Sequence, residues 1–200
     1  MSTSPMKQAL TPAQVRIADA AIRVIAQQGF DVVSVRTVAQ ESGQSAGTVQ
    51  YHYKTRQDLL VAALVRSIQR QRERINAADT AQGSYRRSMA RSLRELLPLE
   101  GVCREDAAVW VSYGAAASTR DWLAGLYWGV MSEFHRDIEV VLERAQRDGR
   151  LREGLTPQTA APIVTALVNG LTIDHLNAPP EAREGIGQAL DRGLSLILTD

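Results

Sequence analysis

The chain has 200 residues, 44% of them hydrophobic, and its 23 Lys and Arg nearly balance its 22 Asp and Glu. This composition is typical of a globular protein that buries a substantial core. No stretch approaches the roughly 20 apolar residues that cross a bilayer, so we expect a soluble cytoplasmic protein with no membrane partner. Cys103 is the only cysteine and the three histidines are scattered, which excludes intrachain disulfides and leads us to expect neither a metal site nor a cofactor.

The charge is unevenly distributed along the chain. Residues 1–75 contain ten Lys or Arg and five Asp or Glu, whereas the remainder contains 13 and 17. A basic amino-terminal part joined to a mildly acidic body fits a module that meets phosphate and a body that does not. The same modest excess is also compatible with a solvated surface.

The first helix is predicted directly after an amino-terminal arm, residues 1–10, that we expect to be disordered. Thr11 is a candidate N-cap, Pro12 occupies the first helical position and Gln14 completes a capping box. Apolar residues then recur three and four positions apart until Gly29 ends the helix.

Two short helices joined by a tight turn are predicted over about residues 34–53, which is the arrangement of a DNA-binding helix-turn-helix. Ser34 can cap the first of these helices. Gly43 supplies the turn, because a left-handed backbone costs glycine little. Ser45 then caps a second helix of about two turns, which carries Val49 inward.

The outward face of the second helix has the small tip that a recognition helix needs to enter a groove about 12 Å wide. Ala46 and Gly47 permit close approach, and Thr48 and Gln50 can hydrogen-bond to base edges, or Thr48 to phosphate. The polar, aromatic and basic run that follows suits the sugar-phosphate backbone. The alternative is an ordinary helix pair whose aromatic residues belong to a core. The predicted DNA-binding residues are Ser34, Arg36, Ser45, Ala46, Gly47, Thr48, Gln50, Tyr51, His52, Lys54 and Arg56.

This region resembles the amino-terminal module of the tetracycline-repressor (TetR) family of transcriptional regulators. In that family a first helix ending in Gly-Phe precedes a helix-turn-helix ending in Gly-Thr-x-x-Tyr-His-aromatic. The matching residues here are Gly29, Phe30, Gly47, Thr48, Tyr51, His52 and Tyr53. The likeness covers about fifty residues from Thr11, and it departs from the family at Gln44, where a small aliphatic residue is usual. It implies a DNA-binding domain over residues 11–55 and a ligand-binding and dimerisation domain over residues 56–200.

The rest of the chain is also predicted to be helical. A fourth helix follows Thr55 and would link the DNA-binding module to the body. Further helices are predicted over about residues 84–97, 104–117 and 118–149, and after Thr156 and Pro179. The expected fold class is therefore all-α, with an amino-terminal three-helix helix-turn-helix domain followed by a helical ligand-binding and dimerisation domain, about nine helices in total.

Six of the ten aromatic residues lie between Trp110 and Phe134, and this crowding indicates an apolar pocket between packed helices. A few polar side chains would anchor a small-molecule effector, which we expect to be partly apolar or aromatic. The alternative, that the aromatic residues only fill a core, stays open. The predicted ligand-binding residues are Trp110, Tyr113, Trp122, Tyr127, Phe134, His135 and Asn169, with His175 as a weaker candidate.

The last two predicted helices carry small and aliphatic residues on one face. If these faces pair with those of a second copy, a four-helix interface results, as the resemblance implies; burial within a monomer is the alternative. Two recognition helices about 34 Å apart would match successive major grooves, so the predicted DNA operator is palindromic. The predicted interface residues are Ile163, Leu167, Leu171, Ile186, Leu190, Leu194 and Ile197.

Together these features predict a ligand-responsive DNA-binding transcriptional regulator, in which an effector bound in the body shifts the fourth helix and weakens operator binding. Repression is the expected sign. A helical protein-interaction module without DNA binding is the alternative, although it leaves the run from Tyr51 to Arg56 unexplained. No enzymatic activity is expected, because the sequence contains no nucleophile-and-base motif and its three histidines lie far apart.

Overall fold

A computed structural model describes residues 10–78 and 84–200, and within these ranges the chain forms nine α-helices and no β-strand. The predicted arm, except for Leu10, lies outside these ranges. The helices are α1 (Pro12–Gln28), α2 (Val35–Ser42), α3 (Ala46–His52), α4 (Arg56–Ala78), α5 (Tyr85–Arg94), α6 (Gly101–Ala117), α7 (Asp121–Arg147), α8 (Pro157–Asn177) and α9 (Ile186–Ser195). The all-α class and the predicted helix order are confirmed. None of the described helices is both long enough and apolar enough to span a membrane.

Each of the first three helices begins at the capping residue that the sequence predicts. The Thr11 hydroxyl accepts a hydrogen bond from the backbone N–H of Gln14 at 3.3 Å, and the Gln14 side chain accepts one from the Thr11 N–H at 3.0 Å. The hydroxyls of Ser34 and Ser45 each accept from the backbone N–H three residues later, at 3.1 and 3.0 Å. These bonds satisfy N–H groups that have no partner inside the helix, so each start is fixed locally.

Two hydrophobic clusters hold the described helices together. The first contains α1, α2, α3, the first half of α4 and the second half of α6, with Ile17 and Leu59 fully buried. The second joins α5, α8, α9 and the second half of α7 around Leu142 and Leu190. Because the buried residues of α4 belong to the first cluster as far as Ile68, this helix begins in the predicted DNA-binding module and continues into the body.

Helix α9 corrects one prediction made from the sequence. Leu190 and Leu194 are fully buried, and Ile186 and Ile197 are buried to more than nine-tenths, all within the second cluster of the same subunit. A side chain with little or no accessible surface in the single subunit can contribute little to a contact with a partner. These four residues therefore fill the subunit's own core and do not form the surface that meets a second copy.

Candidate DNA-binding face and effector cavity

The turn after α2 places the short helix α3 at the surface. Gly43 adopts a left-handed conformation with φ 66°, which glycine enters without steric cost. The N–H of Gln44 then donates to the Ala39 carbonyl at 3.1 Å and closes the end of α2. Val49 is fully buried and anchors α3 to the core of the module. Helix α3 is thus fixed by the Ser45 cap at its start, by the preceding turn and by the inward side chain of Val49.

The other side chains of α3 form the outward face that the sequence predicts for groove contact. Ala46, Gly47 and Gln50 are exposed, and Tyr51 exposes 74% of its surface. Thr48 is half-buried, and its hydroxyl lies 2.9 Å from that of the capping serine. An exposed tyrosine next to residues without bulky side chains leaves the helix tip free to approach a flat or grooved partner.

A group of cationic and aromatic side chains follows directly. Lys54 Nζ lies 5.6 Å from the centroid of the Tyr51 ring, within the range of a cation–π interaction. His52 meets the same ring edge-on at 5.2 Å. These contacts bring an ammonium group, an imidazole and a phenol together on one surface, a combination suited to the sugar-phosphate backbone. Arg36, on the first turn of α2, is also exposed.

Arg56, a predicted phosphate contact, has a different environment. Its Nε donates to the Val33 carbonyl at 2.8 Å and its Nη2 donates to the Phe30 carbonyl at 2.9 Å. Asp31 lies 3.4 Å from the same Nη2. The guanidinium therefore holds the segment between α1 and α2 against the start of α4. Sequence reasoning missed this role because its acceptors are backbone carbonyls, which leave no pattern in the residue types.

The neighbouring Tyr53 is also directed inward. It is buried, and its hydroxyl donates to the Gln14 carbonyl at 3.4 Å. Burial raises the pKa of Tyr53 to about 12, so the phenol is neutral at physiological pH. Of the run from Tyr51 to Arg56, Tyr53 is therefore the residue withdrawn from the surface, whereas Arg56 stays exposed although its guanidinium is engaged by backbone carbonyls.

Tyr113, a predicted ligand contact, lies at the junction between the DNA-binding module and the body. It is fully buried, its hydroxyl donates to the Leu60 carbonyl at 2.5 Å, and its ring meets Phe30 edge-on at 5.0 Å. Burial strongly raises the pKa of Tyr113, so the phenol stays protonated as a donor. This side chain joins α6 to α4 and to the module and does not line the cavity described next.

A cavity of about 100 Å³ lies between the second half of α4 and helices α6, α7 and α8. This volume is sufficient for several water molecules or for a small organic molecule. Its walls are mainly apolar, with a few amide, hydroxyl and charged groups. The lining residues are Ile68, Gln71, Arg72, Ile75, Leu96, Ala107, Trp110, Val130, Phe134, Asp137, Val168, Asn169 and Thr172.

Three predicted ligand contacts line this cavity, namely Trp110, Phe134 and Asn169. The indole N–H of Trp110 donates to Asn169 Oδ1 at 2.9 Å, which fixes the plane of the indole ring and the orientation of the amide. Tyr127 stacks on the indole, with centroids 4.6 Å apart and an angle of 22° between the rings. Tyr127 therefore supports the cavity wall without itself lining the cavity.

The other predicted ligand contacts lie elsewhere. Trp122 is 38% exposed near the start of α7, and His135 lies 2.8 Å from the Thr165 hydroxyl in the contact between α7 and α8. His175 is buried near the end of α8, where burial lowers its pKa, as do Arg104 and Arg183. Helical spacing places all of these residues in the body, but it does not determine which ones share a cavity.

Two charged cavity residues were not predicted from the sequence. Arg72 forms an ion pair with Glu133 at 2.8 Å, and the Glu133 carboxylate compensates the charge of the guanidinium. Asp137 is exposed, and it has no ion-pair partner among the described residues. The sequence did contain a signal for Arg72. The spacing of Ile68, Gln71, Arg72 and Ile75 places these four residues on one face of α4. No group of three or more potential metal ligands occurs in the described ranges.

Both parts of the chain match known families. A family described as "Bacterial regulatory proteins, tetR family" matches residues 17–63, and one described as "BetI-type transcriptional repressor, C-terminal" matches residues 85–199. The chain belongs to the TetR family of transcriptional regulators. Members of this family bind operator DNA and small-molecule effectors.

Individual members of the TetR family are similar over most of the chain. The regulator BetI of Brucella canis is 27% identical over 161 residues, which cover 78% of this chain and 76% of BetI. A transcriptional regulator from Rhodococcus sp. Rha1 has a TM-score of 0.79 at 27% identity, covering 94% of this chain and 96% of its own. A regulator from Saccharomonospora viridis, solved in complex with choline, has a TM-score of 0.78 at 24% identity, covering 94% and 98%.

We predict that Arg56→Ala lowers the free energy of unfolding by about 1.5–3 kcal/mol, because two backbone carbonyls lose a charged hydrogen-bond donor. Lys54→Ala is the control, since Lys54 is exposed and has no hydrogen bond or ion pair with the described part of the chain, only the contact with the Tyr51 ring. The Lys54→Ala substitution should change the free energy of unfolding by less than about 0.5 kcal/mol. Urea unfolding at one protein concentration measures both. Equal destabilisation by the two substitutions would show that Arg56 has no special structural role.

Proposed function

We propose that this TetR-family chain is a homodimeric repressor that binds a palindromic operator and releases it when a small molecule occupies the cavity of the body. The observation that carries this proposal is the position of α4. Its first half packs in the core of the DNA-binding module, and its second half lines the cavity. An effector that displaces the cavity face of this rigid helix therefore also acts on the module.

The exposed face of α3 supports a division of roles in DNA recognition. Ala46 and Gly47 allow the helix tip to enter the major groove, and Gln50 is placed to read a base edge, notably adenine. Tyr51 and Lys54 lie together at the rim of this face, where the sugar-phosphate backbone would pass. Ser34 and Ser45 contribute mainly as helix caps, with backbone N–H groups near phosphate.

An outward face of α8 supports dimerisation. Ile163 and Ile173 are 49% and 45% exposed, and Ala166 and Gly170 lie between them on the same exposed side of the helix. Small residues between larger apolar ones let two helices approach closely. The half-buried Leu167 flanks this stripe. A two-fold contact through this face would present two recognition helices to successive major grooves.

The charges around the cavity favour a small organic cation as effector. The Arg72 and Glu133 charges cancel, which leaves the Asp137 carboxylate as the net charge at the cavity edge. Trp110 and Phe134 provide aromatic faces, which attract cations through their quadrupoles. The choline complex of the Saccharomonospora viridis regulator, which shares this fold, makes choline a suitable first probe.

The DNA-binding part is tested by selecting bound fragments from genomic DNA and comparing two variants. Gln50→Ala should change the selected sequence, since it removes a base contact worth about 1–3 kcal/mol. Lys54→Ala should weaken binding to all sequences about equally and reduce its salt dependence. A uniform loss in both variants would reject the division of roles. An absence of DNA binding by the parent protein at low salt would reject the regulator and favour an interaction module.

The dimer is tested by Ile163→Arg combined with Ile173→Arg. Two charges in an apolar interface should convert the dimer to a monomer, which sedimentation velocity detects, and operator affinity should fall because the two half-sites are no longer bound together. The control is Val140→Arg on α7, where the parent side chain is 47% exposed. A double variant that sediments as the parent does would exclude the α8 face as the interface.

The effector class is tested by calorimetric titration with choline. Asp137→Asn should weaken choline binding about twofold to fivefold, because a solvent-exposed ion pair contributes about 1 kcal/mol or less. Glu139→Gln is the matched control, since Glu139 lies on the same helix but does not line the cavity. Tighter choline binding after Asp137→Asn, or equal losses in the two variants, would contradict a cation site at this carboxylate.

A further inference from the structure

A row of arginines occupies the side of α4 that faces away from the cavity. Arg66, Arg70 and Arg74 are spaced four residues apart and therefore share one face of the helix. The cavity residues Ile68 and Ile75 lie nearly opposite on the same helix. One rigid element thus carries the cavity wall on one side and three cations on the other, so a displacement of the wall also displaces the cations.

On the DNA-binding side, this row reaches one carboxylate. Asp19, on α1, accepts a hydrogen bond from Arg66 Nε at 3.0 Å, and Arg70 Nη1 lies 3.6 Å from the same oxygen. The side chains of Asp19 and Arg66 are 26% and 18% exposed. Bulk water therefore screens this contact less than it screens a surface ion pair.

On the body side, the same arginines hold α6. Asp106 is 1% exposed and accepts a hydrogen bond from Arg74 Nη1 at 2.8 Å, while Glu105 accepts one from Arg70 Nη2 at 2.9 Å. Burial raises the pKa of Asp106, and the charges of Arg70 and Arg74 oppose this rise. Loss of Asp106 would remove a buried anionic partner of both Arg70 and Arg74 and should strongly destabilise the fold, so this end of the network has a structural role.

The hydrogen bonding at the centre of the network is incomplete. Arg70 Nε lies 3.3 Å from Asp106 Oδ1, yet among the described residues neither atom has a partner in hydrogen-bond geometry. Arg70 thus divides its charge among carboxylates of α1 and α6, with its longest contact to Asp19.

From α1, the connection continues to the recognition element. Arg23, one turn after Asp19, bonds Glu41 on α2 at 2.5 Å, and α2 carries α3 through the turn at Gly43. The orientation of α1 on α4 therefore sets the orientation of the recognition helix relative to the body.

We propose that Asp19 is the positioning residue through which an occupied cavity changes operator affinity. An occupant pushes on the cavity face of α4 and shifts Arg66 and Arg70 on its opposite side, and their ion pairs with Asp19 carry α1 and the helix-turn-helix along with α4. This inference rests on the proposed function, because it specifies how the body acts on DNA binding. Asp19 contacts neither the cavity nor the outward face of α3.

A double-mutant cycle on the full chain tests the role of Asp19 without requiring a known effector. Ala107→Leu fills the cavity covalently and serves as the occupant, and Val130→Met is a second, more adaptable filler. Each filler is combined with Asp19→Asn, and affinity is measured for one DNA fragment selected by the parent protein. The matched control is Glu73→Gln, which removes the same charge from the network at a residue whose one ion pair among the described residues is with Arg66, at 3.7 Å, within α4 itself.

In the parent protein and in Glu73→Gln, filling the cavity should lower DNA affinity at least about fivefold, the lower end of a typical allosteric coupling. In the Asp19→Asn protein the same filling should change affinity less than about twofold. Arg66→Gln, which breaks the contact from the other side, should reproduce this loss of coupling, and thermal unfolding verifies that each variant is folded.

The inference would be overturned if filling the cavity changed DNA affinity equally in the Asp19→Asn and parent proteins. It would also be overturned if neither filler changed the DNA affinity of the parent protein. If the parent binds no DNA fragment, the proposed function fails as well, so the two failures are distinguishable.

Discussion

Helix α4 packs in two directions along its length, and the other parts of the molecule are arranged around that constraint. Its first half shares a core with the three helices of the DNA-binding module, where Leu59 and Leu60 are fully buried. Its second half forms one wall of the cavity and also carries the arginine row. A continuous helix of 23 residues has no joint between these environments, so the module and the body cannot reorient without straining one of its contacts. The proposed signalling between them would follow from this shared packing.

Much of the DNA-binding module could be predicted from the sequence because its determinants are local. The caps at Thr11, Ser34 and Ser45 and the left-handed Gly43 are each fixed by residues within four positions, and the structure has them as expected. The hydrogen bonds of Arg56 could not be predicted in this way, because its acceptors are backbone carbonyls more than twenty residues away in the sequence. Local patterns specify where helices start and end, whereas long-range hydrogen bonds to the backbone depend on how those helices pack.

In the body, the helical periodicity of the sequence does not determine which surface a buried face contacts. The apolar face of α9 was predicted to meet a second copy and instead lies in the core of its own subunit, because a repeat of three and four residues is the same in both cases. The same limit applies to the aromatic cluster, in which Trp110 and Phe134 line the cavity while Tyr113 joins the module to the body. Which aromatic residue reaches which space depends on the crossing of α6 and α7, and neither helix encodes that crossing alone.

In the short helix α3, the residues proposed to contact DNA are different from the residue that anchors the helix to the core. Of its seven residues only Val49 is buried, and the helix is otherwise secured by its serine cap and by the preceding turn. The exposed positions Ala46, Gly47 and Gln50, which we propose face the groove, make no hydrogen bond or ion pair with the described remainder of the chain beyond the helix backbone itself. Substitutions there change the surface offered to DNA at little cost in folding free energy. A lineage carrying this scaffold can therefore acquire a new operator through a few surface substitutions while the cavity and the arginine network stay as they are.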